Sequence, residues 1–154
     1  MIDQFEVSIT HGQIMIFRPS SAIPDSWDDD DVAQGFSWQD GFVSFGIPDH
    51  DGMVSVKLFY NEPYENFIPQ AERAIKVPFN VGDDGIIIGT VFDDFEENID
   101  NCKYNIIFIL TKNKDKENIY YDCLLFFVIN EKQEFKIIKK DGEMNDSYVI
   151  KHYI

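Results

Sequence analysis

Met53-Val54-Ser55-Val56-Lys57-Leu58-Phe59-Tyr60 alternates apolar Val54, Val56 and Leu58 with polar Ser55 and Lys57. A repeat of two is that of a β-strand, whose successive side chains point to opposite faces, so this run reads as a strand with one buried face. It follows Asp51-Gly52, a turn dipeptide. Outward from it, short apolar runs recur between turn residues. Residues 42–45 follow Asp40-Gly41, and residues 5–9 and 13–17 flank Thr10-His11-Gly12, which predicts a hairpin. Residues 73–81 and 86–92 predict a second hairpin across Gly82-Asp83-Asp84-Gly85. Pro78 has no N–H to donate to a ladder, so the first strand of that pair is expected at an edge or with a bulge. Residues 103–111, 118–130, 134–139 and 147–153 complete the set.

This spacing predicts an all-β fold, an antiparallel β-sandwich in one domain spanning residues 1–154. Its expected core holds Phe5, Ile14, Ile16, Val43, Phe45, Val54, Val56, Leu58, Phe79, Ile107, Ile109, Leu125 and Phe127. One segment breaks the pattern. Ser26-Trp27-Asp28-Asp29-Asp30-Asp31-Val32-Ala33-Gln34-Gly35 reads as a short acidic helix, with Ser26 as cap, acids in the first turn and Gly35 as stop. Val32, Ala33 and Phe36 are its expected buried side.

Hydrophobic residues make up 44% of the chain, too many for a disordered polymer, and 15% are aromatic, which favours pleated sheets. No run approaches the ~20 apolar residues of a membrane helix, and Met1-Ile2-Asp3-Gln4-Phe5-Glu6 lacks the basic flank and apolar stretch of a signal peptide. The expected compartment is the cytoplasm, where Cys102 and Cys123 stay reduced thiols at strand starts.

Charge is the strongest bulk signal. Thirteen Lys and Arg face 28 Asp and Glu, a net −15. Residues 1–102 hold 20 acids and 4 bases, whereas residues 103–154 hold 8 acids and 9 lysines. Such a surface repels nucleic acid and anionic lipid and steers cationic partners inward.

At the helix and its flanks the chain resembles the competence protein J family, inhibitors of a bacterial nuclease that acts on incoming DNA. The likeness runs through Ile9-Thr10-His11-Gly12-Gln13-Ile14-Met15-Ile16-Phe17, Ser26-Trp27-Asp28-Asp29-Asp30, Gln34-Gly35-Phe36 and Asp40-Gly41-Phe42-Val43-Ser44-Phe45. It resumes at Ala74-Ile75-Lys76-Val77-Pro78-Phe79-Asn80-Val81 and Gly85-Ile86-Ile87-Ile88, covering roughly residues 8–92. The resemblance implies a protein that binds and inhibits a metal-dependent DNase; two settings fit that reading, restraint of a competence nuclease or immunity against a nuclease toxin. It assigns no contact residues.

The residues themselves offer candidates. Asp28, Asp29, Asp30 and Asp31, with Asp25, Asp40, Asp49 and Asp51, place eight acids between Arg18 and Lys57 without a base. They could imitate DNA phosphates and occupy a basic groove, since phosphate contacts supply much of a nuclease's affinity. The bland reading is a solvated helix start, where Asp is favoured anyway. Trp27, beside Phe36 and Trp38, is either an interface anchor or core under the helix. The predicted partner-binding set is Trp27, Asp28, Asp29, Asp30, Asp31, Asp49 and Asp51.

The alternative class is a calcium- or ligand-binding sandwich using Asp49, Asp51, Asp83 and Asp84. The twelve-residue calcium-loop pattern with its terminal Glu is absent, and Asp-Gly is ordinary turn chemistry, so no metal or other cofactor is expected. No enzyme is expected either: His11, His50 and His152 stand outside any catalytic motif. The charge yields a first test. At physiological salt without divalent ions the protein should not retard a DNA fragment in a gel, and a shifted band would contradict the acidic-surface reading.

Overall fold

The computed structural model describes residues 1–9, 12–21, 27–47, 52–90, 93–113, 119–141 and 144. In chain order the elements are β1 (Asp3–Ile9), β2 (Gln13–Phe17), α1 (Asp29–Gln34), β3 (Phe36–Gln39), β4 (Phe42–Gly46) and β5 (Gly52–Tyr60). A 3-10 helix (Glu65–Gln70) leads to β6 (Arg73–Val81), β7 (Ile86–Gly89), β8 (Asp94–Glu97), β9 (Cys102–Lys112), β10 (Ile119–Val128) and β11 (Lys136–Lys139). They form two packed sheets, one ordered β1-β5-β10-β9-β6-β11 and the other β3-β4-β2-β7-β8. The predicted sandwich is correct. One pairing, β5 with β10, is parallel, and the other described pairings are antiparallel.

The alternation in β5 does what its period dictates: Val54, Val56 and Leu58 are fully buried between the sheets. Ile14, Ile16, Val43, Phe45, Phe79, Leu125 and Phe127 join them, while Phe5 is half-buried against the same cluster. Ile107 and Ile109 are buried on the opposite face of the first sheet, with Leu124, Phe126 and Tyr64. That second layer exists because the crossover from β5 to β6 runs over the sheet's outer face. β9 is therefore buried from Tyr104 to Leu110 on both sides, which explains its apolar run from Ile106 to Leu110.

Both predicted hairpins are corrected. β1 belongs to the first sheet and β2 to the second, so the chain around Gly12 passes between layers. The turn Gly82–Gly85 likewise carries the chain from β6 in the first sheet to β7 in the second, with a single bridge between Gly82 and Gly85. Turn residues set a reversal locally, but burial of both strands' apolar faces decides which sheet each joins. Strands β3 and β8 and the 3-10 helix had no counterpart in the sequence reading. The predicted strand 147–153 lies outside the described residues, as do His11, His50 and His152.

The strand of Pro78 is not the expected edge strand, since β11 lies beyond β6. β6 pairs with β9 along its whole length, but β11 reaches only to Lys76, and β11 carries an irregularity between Ile137 and Lys139. Beyond β11, the Pro78 carbonyl accepts the Trp38 indole N–H from the other sheet at 2.7 Å. Phe135 packs edge-on to Trp38 and parallel to Phe36, which closes this side of the sandwich. On the other side the β1 edge is blunted by carboxylates: Asp3 accepts the Gln4 N–H at 2.8 Å and Asp93 the Ser8 N–H at 3.0 Å. Cys102 opens β9 and Cys123 lies within β10; both are free, and burial pushes the Cys123 thiol strongly up.

One end of the sandwich is tied by Arg73, only 2% exposed. Its guanidinium donates from Nε and Nη2 to the Asp141 carboxylate at 2.8 and 2.9 Å, and from Nη1 to the Gly46 carbonyl at 3.0 Å. Replacing Arg73 with Met strands the partly buried Asp141 carboxylate. The expected loss is about 3–5 kcal/mol by urea denaturation, partly recovered when Asp141→Leu is added. A single variant within 1 kcal/mol of the parent would show that the pair contributes little.

Candidate acidic binding face

The acidic segment folds as a helix because its own carboxylates satisfy its first N–H groups. Asp28, not Ser26, is the N-cap: its side chain accepts the Asp31 N–H at 3.0 Å. Asp31 reciprocates, accepting the Asp28 N–H at 3.0 Å, a capping box with Asp at the third position. Ser26 lies outside the described residues. Gly35 ends the helix at φ 85°, a left-handed geometry that suits glycine, and a Cβ there would meet Ile75 and Met144 at 3.1 Å.

The buried side of α1 differs from the expected one. Asp31 and Gln34, three residues apart and hence on one face, are fully buried, and the Gln34 amide donates to the Phe36 carbonyl at 2.7 Å. Val32 is 50% exposed and Ala33 half-buried; Phe36 is buried, but as the first residue of β3. The polar residues turn inward because their side chains serve the backbone.

The seven predicted contact residues therefore separate. Asp28, Asp29 and Asp30 are exposed, and Asp31 is inside, where it cannot meet a partner. Trp27 is half-buried, its indole N–H donating to Ser44 Oγ at 2.7 Å. Its ring lies so close to Gly46 that a Cβ there would stand 2.9 Å from Cη2. Trp27 is thus packing that fastens the acidic segment to the outer face of the second sheet. Asp49 and Asp51 lie outside the described residues.

Charge reading by segment missed Glu96 and Glu97, which join Asp83 and Asp84 in a second acidic group. Asp83, Asp84, Glu96 and Glu97 line a groove of about 420 Å³ at the β7–β8 side of the same sheet. The signal was present: no strand of the second sheet contains Lys or Arg, whereas strands of the first contain Lys57, Arg73, Lys76, Lys103, Lys112, Lys136 and Lys139. Without the sheet order, that segregation could not be seen. A larger groove of about 1050 Å³ lies on the first sheet's outer face, where Lys57 sits 3.5 Å from Asp122 and Lys112 is 3.9 Å from Glu72. Its balanced charge does not favour a cationic partner. Among the described residues, no group of three or more His, Cys, Asp or Glu side chains is placed to hold a metal ion, and no helix is long and apolar enough to cross a membrane. Asp83 accepts from the Asn101 amide at 2.7 Å, a turn-stabilising contact.

Fold and surface together define a β-sandwich whose strand lysines and arginines all lie in one sheet, which leaves the other without a strand cation. The family described as Competence protein J (ComJ) matches residues 6–136, and the chain belongs to that family. The chain is also similar in structure to ComJ from Bacillus subtilis, an inhibitor of the DNA-degrading activity of NucA. The TM-score is 0.66 at 20% identity, covering 82% of this chain and 94% of that one. No curated protein matches.

The cap predicts unequal effects among neighbouring aspartates. Asp31→Ala should lower stability by about 0.5–2 kcal/mol in thermal unfolding, whereas Asp29→Asn should change it by less than about 1 kcal/mol. Equal losses would contradict the division between internal and surface acids.

Proposed function

We propose that this protein inhibits a DNA-degrading nuclease by binding it directly, presenting the acidic outer side of the second sheet to a basic, DNA-binding groove. The observation that carries the reading is membership of the competence protein J family over residues 6–136, with the shared fold of a NucA inhibitor. The chain acts as a binding protein in the cytoplasm, against a basic or metal-dependent nuclease, in DNA uptake or in immunity to a nuclease toxin.

The physical case is competition. A nuclease groove holds DNA through lysines and arginines on phosphates, and carboxylates fixed on a rigid sheet compete for those cations without being a substrate. Asp28, Asp29 and Asp30 form one part of that surface and Asp83, Asp84 and Glu96 another; Asp49 and Asp51 remain candidates beside them. Lysines concentrated in the first sheet leave the second as the side a cation approaches.

The test is capture of a nuclease from the source cell at low salt, followed by DNA-degradation assays and stopped-flow association at several ionic strengths. The protein should suppress degradation stoichiometrically. The double variant Asp29→Asn/Asp30→Asn, which leaves the Asp28–Asp31 cap intact, should associate about three- to tenfold more slowly at low salt and show a flatter salt dependence. Undiminished degradation at saturating protein would remove the inhibitor reading. Equal rates and slopes would move the interface to the Asp83–Glu96 side.

A further inference from the structure

The large apolar side chains left in water gather on the first sheet's outer face. Among the described residues four are exposed: Met1, Ile2, Val32 and Phe67. Met1 and Phe67 line the groove of about 1050 Å³ on that face, with Phe59 and Leu124 in its floor. Ile2 stands beside it, as the strand period of two requires. Val54, Val56 and Leu58 point into the core, so Lys57 and Phe59 point out. Phe5, Val7 and Ile9 point in, so Ile2 points out, and its N–H donates to the Leu58 carbonyl at 2.8 Å, which brings it next to Phe59. Single exposed apolar residues are ordinary, but a cluster around a groove marks a surface that another molecule covers.

We propose that this face seats a second copy of the chain, in a two-fold dimer joined back to back through the first sheets. Charge and symmetry select that occupant. In a chain of net −15, the charged side chains lining the groove cancel, Lys57 and Lys112 against Glu72 and Asp122. Two molecules of the same sign approach most easily where each is locally neutral. A two-fold contact also pairs a surface with itself, so it needs opposite groups side by side on one copy. Lys112 and Glu72 are such a pair, 3.9 Å apart with their side chains 60% and 38% exposed. A two-fold axis passing between them sets each lysine against the glutamate of the other copy.

The anchor for such a contact is already ordered. Phe67, on the 3-10 helix, leans on Phe59 and Phe126 with ring centroids 6.1 and 5.6 Å apart, and Phe59 stacks on Phe126 at 4.3 Å. The helix is held by Lys139 of β11, whose ammonium donates to the Ile68 and Pro69 carbonyls at 3.2 and 3.0 Å. An aromatic side chain fixed before contact loses little conformational freedom on binding, which suits Phe67 to the role. The dimer goes beyond the inhibitor reading and does not depend on it. Its contact lies on the opposite side of the sandwich from Asp29, Asp30, Asp84 and Glu96, so both acidic faces stay uncovered and one dimer offers two sites to a cationic partner.

The experiment is sedimentation velocity of the full chain over a wide concentration range at several ionic strengths. The chain should dimerise reversibly. Salt screens the repulsion between like-charged copies, so the dimer's Kd should fall about three- to tenfold between about 0.05 and 0.5 M salt, opposite to the trend for a cationic partner. Ile2→Ser and Phe67→Ser should each raise Kd about fivefold or more. Ile2 is half in water, so its variant keeps the test sound if Phe67→Ser fails to fold. Lys112→Glu should also weaken the dimer, and adding Glu72→Lys should restore it by exchanging the two roles. Nuclease inhibition per chain should be the same in Ile2→Ser, which separates this contact from the acidic face. A monomer at every concentration and salt, or a dimer that neither serine variant weakens, would overturn the proposal. So would a monomer whose Ile2→Ser variant loses nuclease binding, which would assign the groove to the nuclease.

Discussion

The Arg73 guanidinium ties together three parts of the chain. It belongs to β6 in the first sheet, bonds the carbonyl of Gly46 at the end of β4 in the second, and holds Asp141 beyond β11. Gly46 is also where the Trp27 ring comes down, and a Cβ at that position would collide with Trp27 and stand 3.1 Å from Arg73 Nη1. Ion pair, glycine and indole therefore form one packed unit. The acidic segment is anchored by that unit at its front, through Trp27 and Ser44, and at its back by the Gly46 N–H donating to the Gly35 carbonyl at 2.9 Å. Removing the cation would free a partly buried carboxylate and the seat on which the acidic helix rests. A buried pair is weak evidence for net stability, but here its geometry selects one way of stacking the sheets.

The two long seams of the sandwich are closed by different chemistry. Phe36, Trp38 and Phe135 seal one side, with an indole N–H occupying the carbonyl that Pro78 leaves open to the edge. The other side relies on one aromatic stack and on carboxylates that accept edge N–H groups. The first is indifferent to pH; the second carries groups that titrate.

The strands were legible in the sequence wherever local pattern and final environment agreed. β5 alternates because one of its faces is core, and β9 is apolar from Ile106 to Leu110 because both of its faces are covered there. Sheet membership was not legible, since Thr10-His11-Gly12 and Gly82-Asp83-Asp84-Gly85 have hairpin composition but lie where the chain changes layer. β8, Asp94-Phe95-Glu96-Glu97, has one apolar residue, and its partner across the seam is distant in sequence. In the acidic helix, residue type misled: four consecutive aspartates look equivalent, but helical geometry turns Asp31 inward and makes it a cap, while Val32 faces water. The charge asymmetry between the chain's two parts was visible early, and it acquired a face only when the sheets were ordered.

A net charge of −15 overstates what a partner would meet. Like charges repel within the fold, and a chain this acidic is compact only if many of its carboxylates find donors. Here the backbone supplies several of them: Asp3 takes the N–H of Gln4, Asp93 that of Ser8, and Asp28 and Asp31 each other's. Side chains supply more, with Asp141 on Arg73, Asp122 near Lys57, and Glu131 and Glu134 on the nearly buried Lys76. These acids are part of the scaffold, their geometry fixed by the bonds they accept. Asp29, Asp30, Asp84 and Glu96 are exposed without such a role among the described bonds, and all lie in or beside the second sheet. The same residue type thus does two jobs that compete for it, and the division follows from where backbone N–H groups are left over at strand edges and helix starts. An acidic binding face on this fold is what remains after that demand is met.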